Sequence, residues 1–290
     1  MRKINTPVAL IVFNRPEKTL RVFNEIKKVQ PSELFIIADG PRENVPSDEE
    51  KCQDVRNIFE KIDWDCKVYK NYSDVNLGCG KRPSTGISWV FENCEKAIIL
   101  EDDCLPNESF FYFCDELLEY YKDDERIMMI SGTNPLKTWN NENYSYHFSI
   151  YGGIHGWASW KRAWKHFEMD ISLWKSKIVK KNLKNLFKSN LQFIYRATIY
   201  DNLLNKSSDV SLWDFQWGFS RMVQNGLSIV PKTNLITNIG YDYEATHNKR
   251  QKNKIANLPT YPINFPIKHP SFVLADGDYD KKFFISVFGP

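Results

Sequence analysis

Two hydrophobic rhythms alternate along the first half of the chain. Short runs of aliphatic and β-branched residues, "PVALIVF" (7–13), "LFIIADG" (34–40), "CKVYKN" (66–71) and "AIIL" (97–100), predict strands. Between them the apolar positions spread to helical spacing. From Glu17, "EKTLRVFNEIKKV" places Leu20, Phe23, Ile26 and Val29 on one stripe; "EKCQDVRNIFEKI" (50–62) predicts a second helix and "TGISWVFENC" (85–94) a third, starting near Pro83 or Ser84. Strand and helix in strict alternation imply parallel pairing through right-handed crossovers, so the expected fold is α/β, an open twisted sheet.

After a further strand at "RIMMISG" (126–132) the pattern changes. From Trp139 to Trp174 the chain is crowded with tryptophan, tyrosine and glycine, and a lysine-rich helix follows to about Ser189. "SLWDFQWGFSRMVQNG" predicts a helix from near Ser211 to a stop at Gly226, and the residues from Gln251 onward are proline-punctuated and irregular. These divisions predict a domain over 1–250, with a nucleotide-binding half to about 135 and an acceptor half from 136, and an extension over 251–290 packed on it.

Composition narrows the function. The 290 residues carry 39 Lys and Arg against 36 Asp and Glu, too even a balance for nucleic acid to be the expected partner. Val8 to Phe13 is too short for a signal-peptide core or a membrane span. The six cysteines are dispersed, without a C-x-x-C pair or a Cys/His cluster at zinc spacing, which predicts free thiols and a cytoplasmic setting. The basic helix over 175–188 and the tail "KKFFISVF" have the composition for peripheral contact with an anionic inner membrane, although a solvated helix face and a packed terminal strand satisfy the same pattern.

The sharpest signal is "AIILEDDCLP" (97–106), where a buried run breaks into Glu101, Asp102 and Asp103. Three adjacent carboxylates repel one another and resist desolvation, so they ask for positive charge; otherwise they are a solvated turn ahead of a helix. Hard divalent ions, Mg2+ or Mn2+, take one or two protein carboxylates and leave sites for water and phosphate, which fits Asp103 with Asp102 as its neighbour. In open α/β sheets ligands collect beyond the strand C-termini, where Asn14-Arg15, Asp39-Gly40-Pro41-Arg42 and the acid trio all lie. The connection "NLGCGKRPSTG" (76–86) joins them, with glycines for close approach and Lys81, Arg82 and a helix N-terminus for an anion such as a diphosphate. In "YGGIHGWASW" (151–160), Gly152, Gly153 and Gly156 let backbone pass close to a ligand, and Trp157 and Trp160 offer flat faces suited to sugar rings.

The ordered set "NLGCGKRPSTGISWVF" and "LEDDCLPNESFFYFCDELLEYYKDDERIMMISGTN" resembles the core of the Rossmann-like GT-A glycosyltransferases, including bacterial family 2-like sugar transferases and N-acetylglucosaminyltransferase I, over about residues 7–248. The resemblance implies a metal-dependent, inverting transfer of a sugar from a nucleotide diphosphate, uridine by analogy, to a saccharide or lipid-linked acceptor. It puts Arg15 near the nucleotide, Asp39 near the base, and Asn76 with Lys81 or Arg82 in the connection that closes on the donor. It assigns Asp102 to the donor, Asp103 and Glu101 to the metal with a late His247, and the loop of Gly153 and Trp157 to the donor sugar. It implies Asp214 as the base that deprotonates the acceptor hydroxyl, with Asp209 in reserve, the register being open by a residue or two. Asp214 as a plain helix cap is the alternative. A sugar nucleotidyltransferase would be expected to show a glycine-rich fingerprint after the first strand, where this chain has "FNRPEKT"; a non-catalytic carbohydrate-binding protein on the same frame is the other alternative.

Overall fold

A computed structural model describes residues 3–139, 143–187, 189–205, 213–240 and 255–289. The predicted βα alternation is present: β1 (Val8–Val12), α1 (Pro16–Val29), β2 (Glu33–Ala38), α2 (Ser47–Ile58), β3 (Lys67–Tyr72), α3 (Gly78–Asn93) and β4 (Lys96–Glu101). There follow β5 (Cys104–Pro106), α4 (Glu108–Tyr120), β6 (Ile127–Ser131), β7 (Tyr146–Ser149), β8 (Trp157–Trp160) and the short α5 (Lys161–Trp164). Beyond these lie α6 (Lys177–Leu186), α7 (Asn190–Leu204), α8 (Asp214–Val223), β9 (Leu227–Pro231), β10 (Ile236–Asn238) and α9 (Gly277–Phe288).

Eight strands form one sheet in the order β3-β2-β1-β4-β8-β6-β9-β7, with only β8 and β7 running against the rest. The fold class is the one expected: a mostly parallel, open α/β sheet flanked by helices. Strand β1 is apolar at every position because both its faces are covered. Val8, Leu10 and Val12 join one core with α1 and α4, while Ala9 and Ile11 join the opposite one with α3. A third cluster gathers Tyr151, Trp174, Tyr200 and Phe219 with Phe283 and Phe284 of α9.

Several expectations are corrected. The buried stripe of α1 is Thr19, Val22, Phe23, Ile26 and Val29, whereas Leu20 is 47% exposed, because spacing of three alone drifts off a 3.6-residue turn. Helix α3 starts at Gly78, five residues before Pro83: the Asp39 carboxylate accepts the N–H groups of Leu77 (2.9 Å) and Gly78 (3.0 Å), and Pro83 near the start removes only one helical hydrogen bond. The tail "KKFFISVF" is helical in α9, capped by Asp276, and its phenylalanines are inside the third cluster. Strands β7 and β9 and helix α7 carry no clean period and went unpredicted. Among the described residues no helix is long and apolar enough to cross a membrane, and all six cysteines are free thiols.

Candidate active site

The C-terminal ends of β1, β2 and β4 open on a cleft of about 290 Å³. Backbone pairing sets its geometry, since Asp39 N–H donates to Val12 O (3.1 Å) and Asp102 N–H to Ile11 O (3.0 Å), so the two acids flank the end of β1. Asp39 is nearly enclosed. Besides capping α3 it accepts from Gly40 N–H (2.9 Å) and from Asn76 Nδ2 (3.2 Å), and Asn76 also donates to Gly40 O. Burial raises the Asp39 carboxyl above its ordinary pKa, while these backbone donors hold it down. Opposite, Asp48 is buried and receives Asn14 Nδ2 (2.7 Å) and a two-pronged Arg42 (2.6 and 3.0 Å); the sequence reading missed it, since an Asp in the first turn of a helix reads as an ordinary terminal charge.

The acid trio has its own cation. Arg15 grips Asp102 through Nε (3.2 Å) and Nη2 and reaches Asp103 Oδ2 through Nη1 (3.1 Å). Burial works against the Arg15 charge, yet Asp102 and Asp103 outweigh it and raise its pKa. One guanidinium for three carboxylates leaves negative charge crowded at the strand end, and Glu101 relieves it by holding its proton: burial, then Asp103 and Asp102, push its pKa up to about 8. Strands β5 and β10 pair antiparallel just beyond, with Ile239 N–H donating to Asp103 O (2.8 Å). A Cβ at Gly240 would fall 2.2 Å from Asp103 Oδ2, so only glycine lets the chain pass this carboxylate.

Among the described residues no group of three His, Cys, Asp or Glu is arranged to enclose an ion. Asp103 and Glu101 offer oxygen donors only, the chemistry a hard divalent ion takes while completing its shell with phosphate and water, and Glu101 would have to give up its proton to such an ion. His247, with the reserve Asp209, lies outside the described residues.

A second cavity of about 350 Å³ is lined by Gly153, His155 and Asp214. Asp214 is the first residue of α8; burial raises its pKa, opposed by the Phe215 N–H and by Arg196. Burial lowers the His155 pKa against the pull of both Asp103 and Asp214, and Glu101 in turn feels Asp214. Thus the trio and Asp214 share one electrostatic neighbourhood.

Not every assigned residue reaches a ligand-accessible surface. Trp157 is 1% exposed, packed with Trp164, Trp213 and Trp217, so its expected contact with a sugar is corrected: in β8 its side chain points into the core beneath the loop. Trp160 is also buried, its indole donating to Leu118 O (3.0 Å). A Cβ at Gly152 would meet Ser228 Oγ at 2.5 Å, so the protein itself, not a ligand, excludes a side chain there. Lys81 is exposed, whereas Arg82 lines the first cleft but donates to Asn71 Oδ1 (2.9 Å) and its carbonyl.

No protein-family model matches the sequence, and no curated protein matches it. Solved structures resemble it distantly. One is a mannosyltransferase from Pyrobaculum calidifontis in complex with GDP-mannose and Mn2+, 13% identical with a TM-score of 0.39 over 55% of this chain. The chain spans 45% of that protein's length. Another is a 4-diphosphocytidyl-2C-methyl-D-erythritol synthase from Anaerococcus prevotii, 9% identical, TM-score 0.42, covering 87% of this chain and 95% of that one. The galactosyltransferase LgtC, in complex with donor and acceptor sugar analogues, is 7% identical with a TM-score of 0.39 over 73% of this chain and 70% of that one.

Proposed function

We propose that this protein is a metal-dependent, inverting glycosyltransferase that moves a sugar from a nucleotide diphosphate, uridine by analogy, to a saccharide or lipid-linked acceptor, in the cytoplasm. The observation that carries the reading is the placing of two acidic centres: the acid trio at the end of β4, and buried Asp214 at the start of α8, lining one cavity with His155, whose pKa responds to both Asp103 and Asp214. Asp39 and Asn76 would bound the nucleoside end of the first cleft, and Arg15 would hold Asp102 and Asp103 in place for the donor. Lys81 and Arg82 would lie toward the diphosphate. Asp103 and Glu101, with His247, would hold Mn2+ or Mg2+, which when bound neutralises charge on the departing diphosphate. The backbone at Gly153 would pass beside the donor sugar, with Trp157 stiffening it from behind. Asp214 would take the proton of the acceptor hydroxyl as its oxygen bonds to the anomeric carbon and the bond to the diphosphate breaks. The raised pKa of Asp214 suits a base.

Screening nucleotide sugars for Mn2+-dependent turnover and thermal stabilisation tests this. Asp214→Asn should keep UDP–Mn2+ binding and lose turnover. Calorimetry showing no uptake of Mn2+ or Mg2+, with or without a UDP- or GDP-linked hexose, would overturn the reading.

A further inference from the structure

One wall of the second cavity holds buried donors for which no acceptor is found among the described residues. Nε of Arg196, Nε of Arg221, the Trp217 indole N–H and the Tyr151 hydroxyl have no hydrogen-bond partner among the described residues, and all four residues line this one cavity. They are deeply buried: Arg196 is 7% exposed, Arg221 3% and Tyr151 1%. Arg196 extends from α7 into a cage of rings, its guanidinium carbon 5.4 Å from the centroid of Tyr151, 5.2 Å from Phe215 and 5.0 Å from Phe288. Arg221, from α8, gives Nη1 to Ser228 Oγ and lies 5.9 Å from the Trp217 ring. No carboxylate among the described residues comes within ion-pair distance of either guanidinium. Burial first, and then Arg196, lower the Arg221 pKa to about 10.

Two buried guanidinium groups lining one cavity, with no carboxylate at ion-pair distance among the described residues and only Asp214 acting on Arg196 from farther off, are costly, and aromatic faces return only part of that cost. Planar forks of N–H donors match the paired oxygens of a carboxylate or phosphate. Asp214 opens on the same cavity.

We propose that this cavity is an anion subsite for the acceptor: the acceptor carries an acidic group, the carboxylate of an acidic sugar or a phosphate ester, that docks on Arg196 and Arg221 with the Tyr151 hydroxyl as a further donor. The neighbouring hydroxyl of the acceptor then faces Asp214. The assignment to an acceptor rests on the glycosyltransferase reading above; the anion site itself does not.

The test is calorimetric titration of the full chain with D-glucuronic acid, glucose 1-phosphate and glucose, once alone and once saturated with UDP and Mn2+ to block phosphate binding in the first cleft. At least one of the two acids should bind about tenfold tighter than glucose. Preference for glucuronate identifies an acidic-sugar acceptor, and preference for the phosphate a phosphorylated one. Arg196→Met and Arg221→Met should each weaken that acid about tenfold or more, leave UDP–Mn2+ affinity within about twofold, and leave Tm unchanged or higher. Arg196→Lys keeps the charge without the fork and should retain part of the affinity. Equal binding of the acids and glucose to the wild type overturns the proposal. So does a lowered Tm in both methionine variants with acid affinity intact, since the guanidinium groups would then serve the fold. Arginine-dependent acid binding without any UDP–Mn2+ binding would keep the anion site and discard the glycosyltransferase.

Discussion

The two cavities treat charge in opposite ways. In the cleft at the ends of β1, β2 and β4 the buried charges are largely paired by the chain itself: Arg15 with Asp102 and Asp103, Arg42 with Asp48. In the cavity between α7, α8 and α9, Arg196 and Arg221 line one wall and make no ion pair among the described residues, with Asp214 acting on Arg196 only from a distance. Pairs closed internally are architecture, whose removal costs stability. Groups held buried and open cost stability to keep, so their removal should be tolerated by the fold and felt only by a ligand.

The largest effect should break the chemistry that spans both. Asp214→Asn and Asp103→Asn are each expected to lower turnover about 10³-fold. With UDP–Mn2+ binding followed in parallel, Asp214→Asn should spare that binding and Asp103→Asn should not. Next comes the paired side of the contrast. Arg15→Met leaves the buried trio without its cation and should cost about 3 kcal/mol or more in denaturant unfolding, while Arg196→Met should cost nothing measurable. Equal losses in the two variants would erase the distinction between the cavities.

A third case is a buried group kept neutral. Both ring nitrogens of His147, in β7, lack a partner, and burial lowers its pKa to about 4, only slightly opposed by Asp276. The folded state therefore refuses a proton that the unfolded chain accepts below about 6.5. Stability is unaffected above that pH and falls as the pH drops toward 4, by about 3 kcal/mol at most. Unfolding at pH 4.5 and pH 7 should show this loss in the wild type and its absence in His147→Phe. The smallest effect sharpens the link between the cavities. Because burial raises the Asp214 pKa and Arg196 opposes it, the acid limb of the turnover profile should lie above the ordinary carboxylate range, and Arg196→Met should shift it further up.

The legible part of the site was its sheet edge. Glu101 ends β4, Asp102 and Asp103 follow it and Asp39 follows β2, and strand ends in a parallel sheet share an edge whatever the details of packing. Arg15 was legible as a residue of that edge but not as the partner of the trio, because the pairing spans 87 residues and depends on register. Trp157 misled for a related reason: in a run of glycine and tryptophan, only the neighbouring strands determine whether an indole faces a ligand or the core. Arg196 left a faint signal in "FIYRATIY", a lone cation among aromatic and aliphatic residues, but a buried arginine and a snorkelling one look alike in one dimension.

By itself the sequence determined the α/β alternation, the doubly buried strands and the placing of acids at their ends, because these follow from local period and from burial on both faces of a parallel sheet. Tertiary structure alone decided which charges are answered and which are left open, since an ion pair or an empty donor is a property of distances between elements far apart in the chain. The acid trio could be read as a demand for positive charge; that Arg15 meets part of it, and that Arg196 and Arg221 make no ion pair among the described residues, emerges only when the helices are packed.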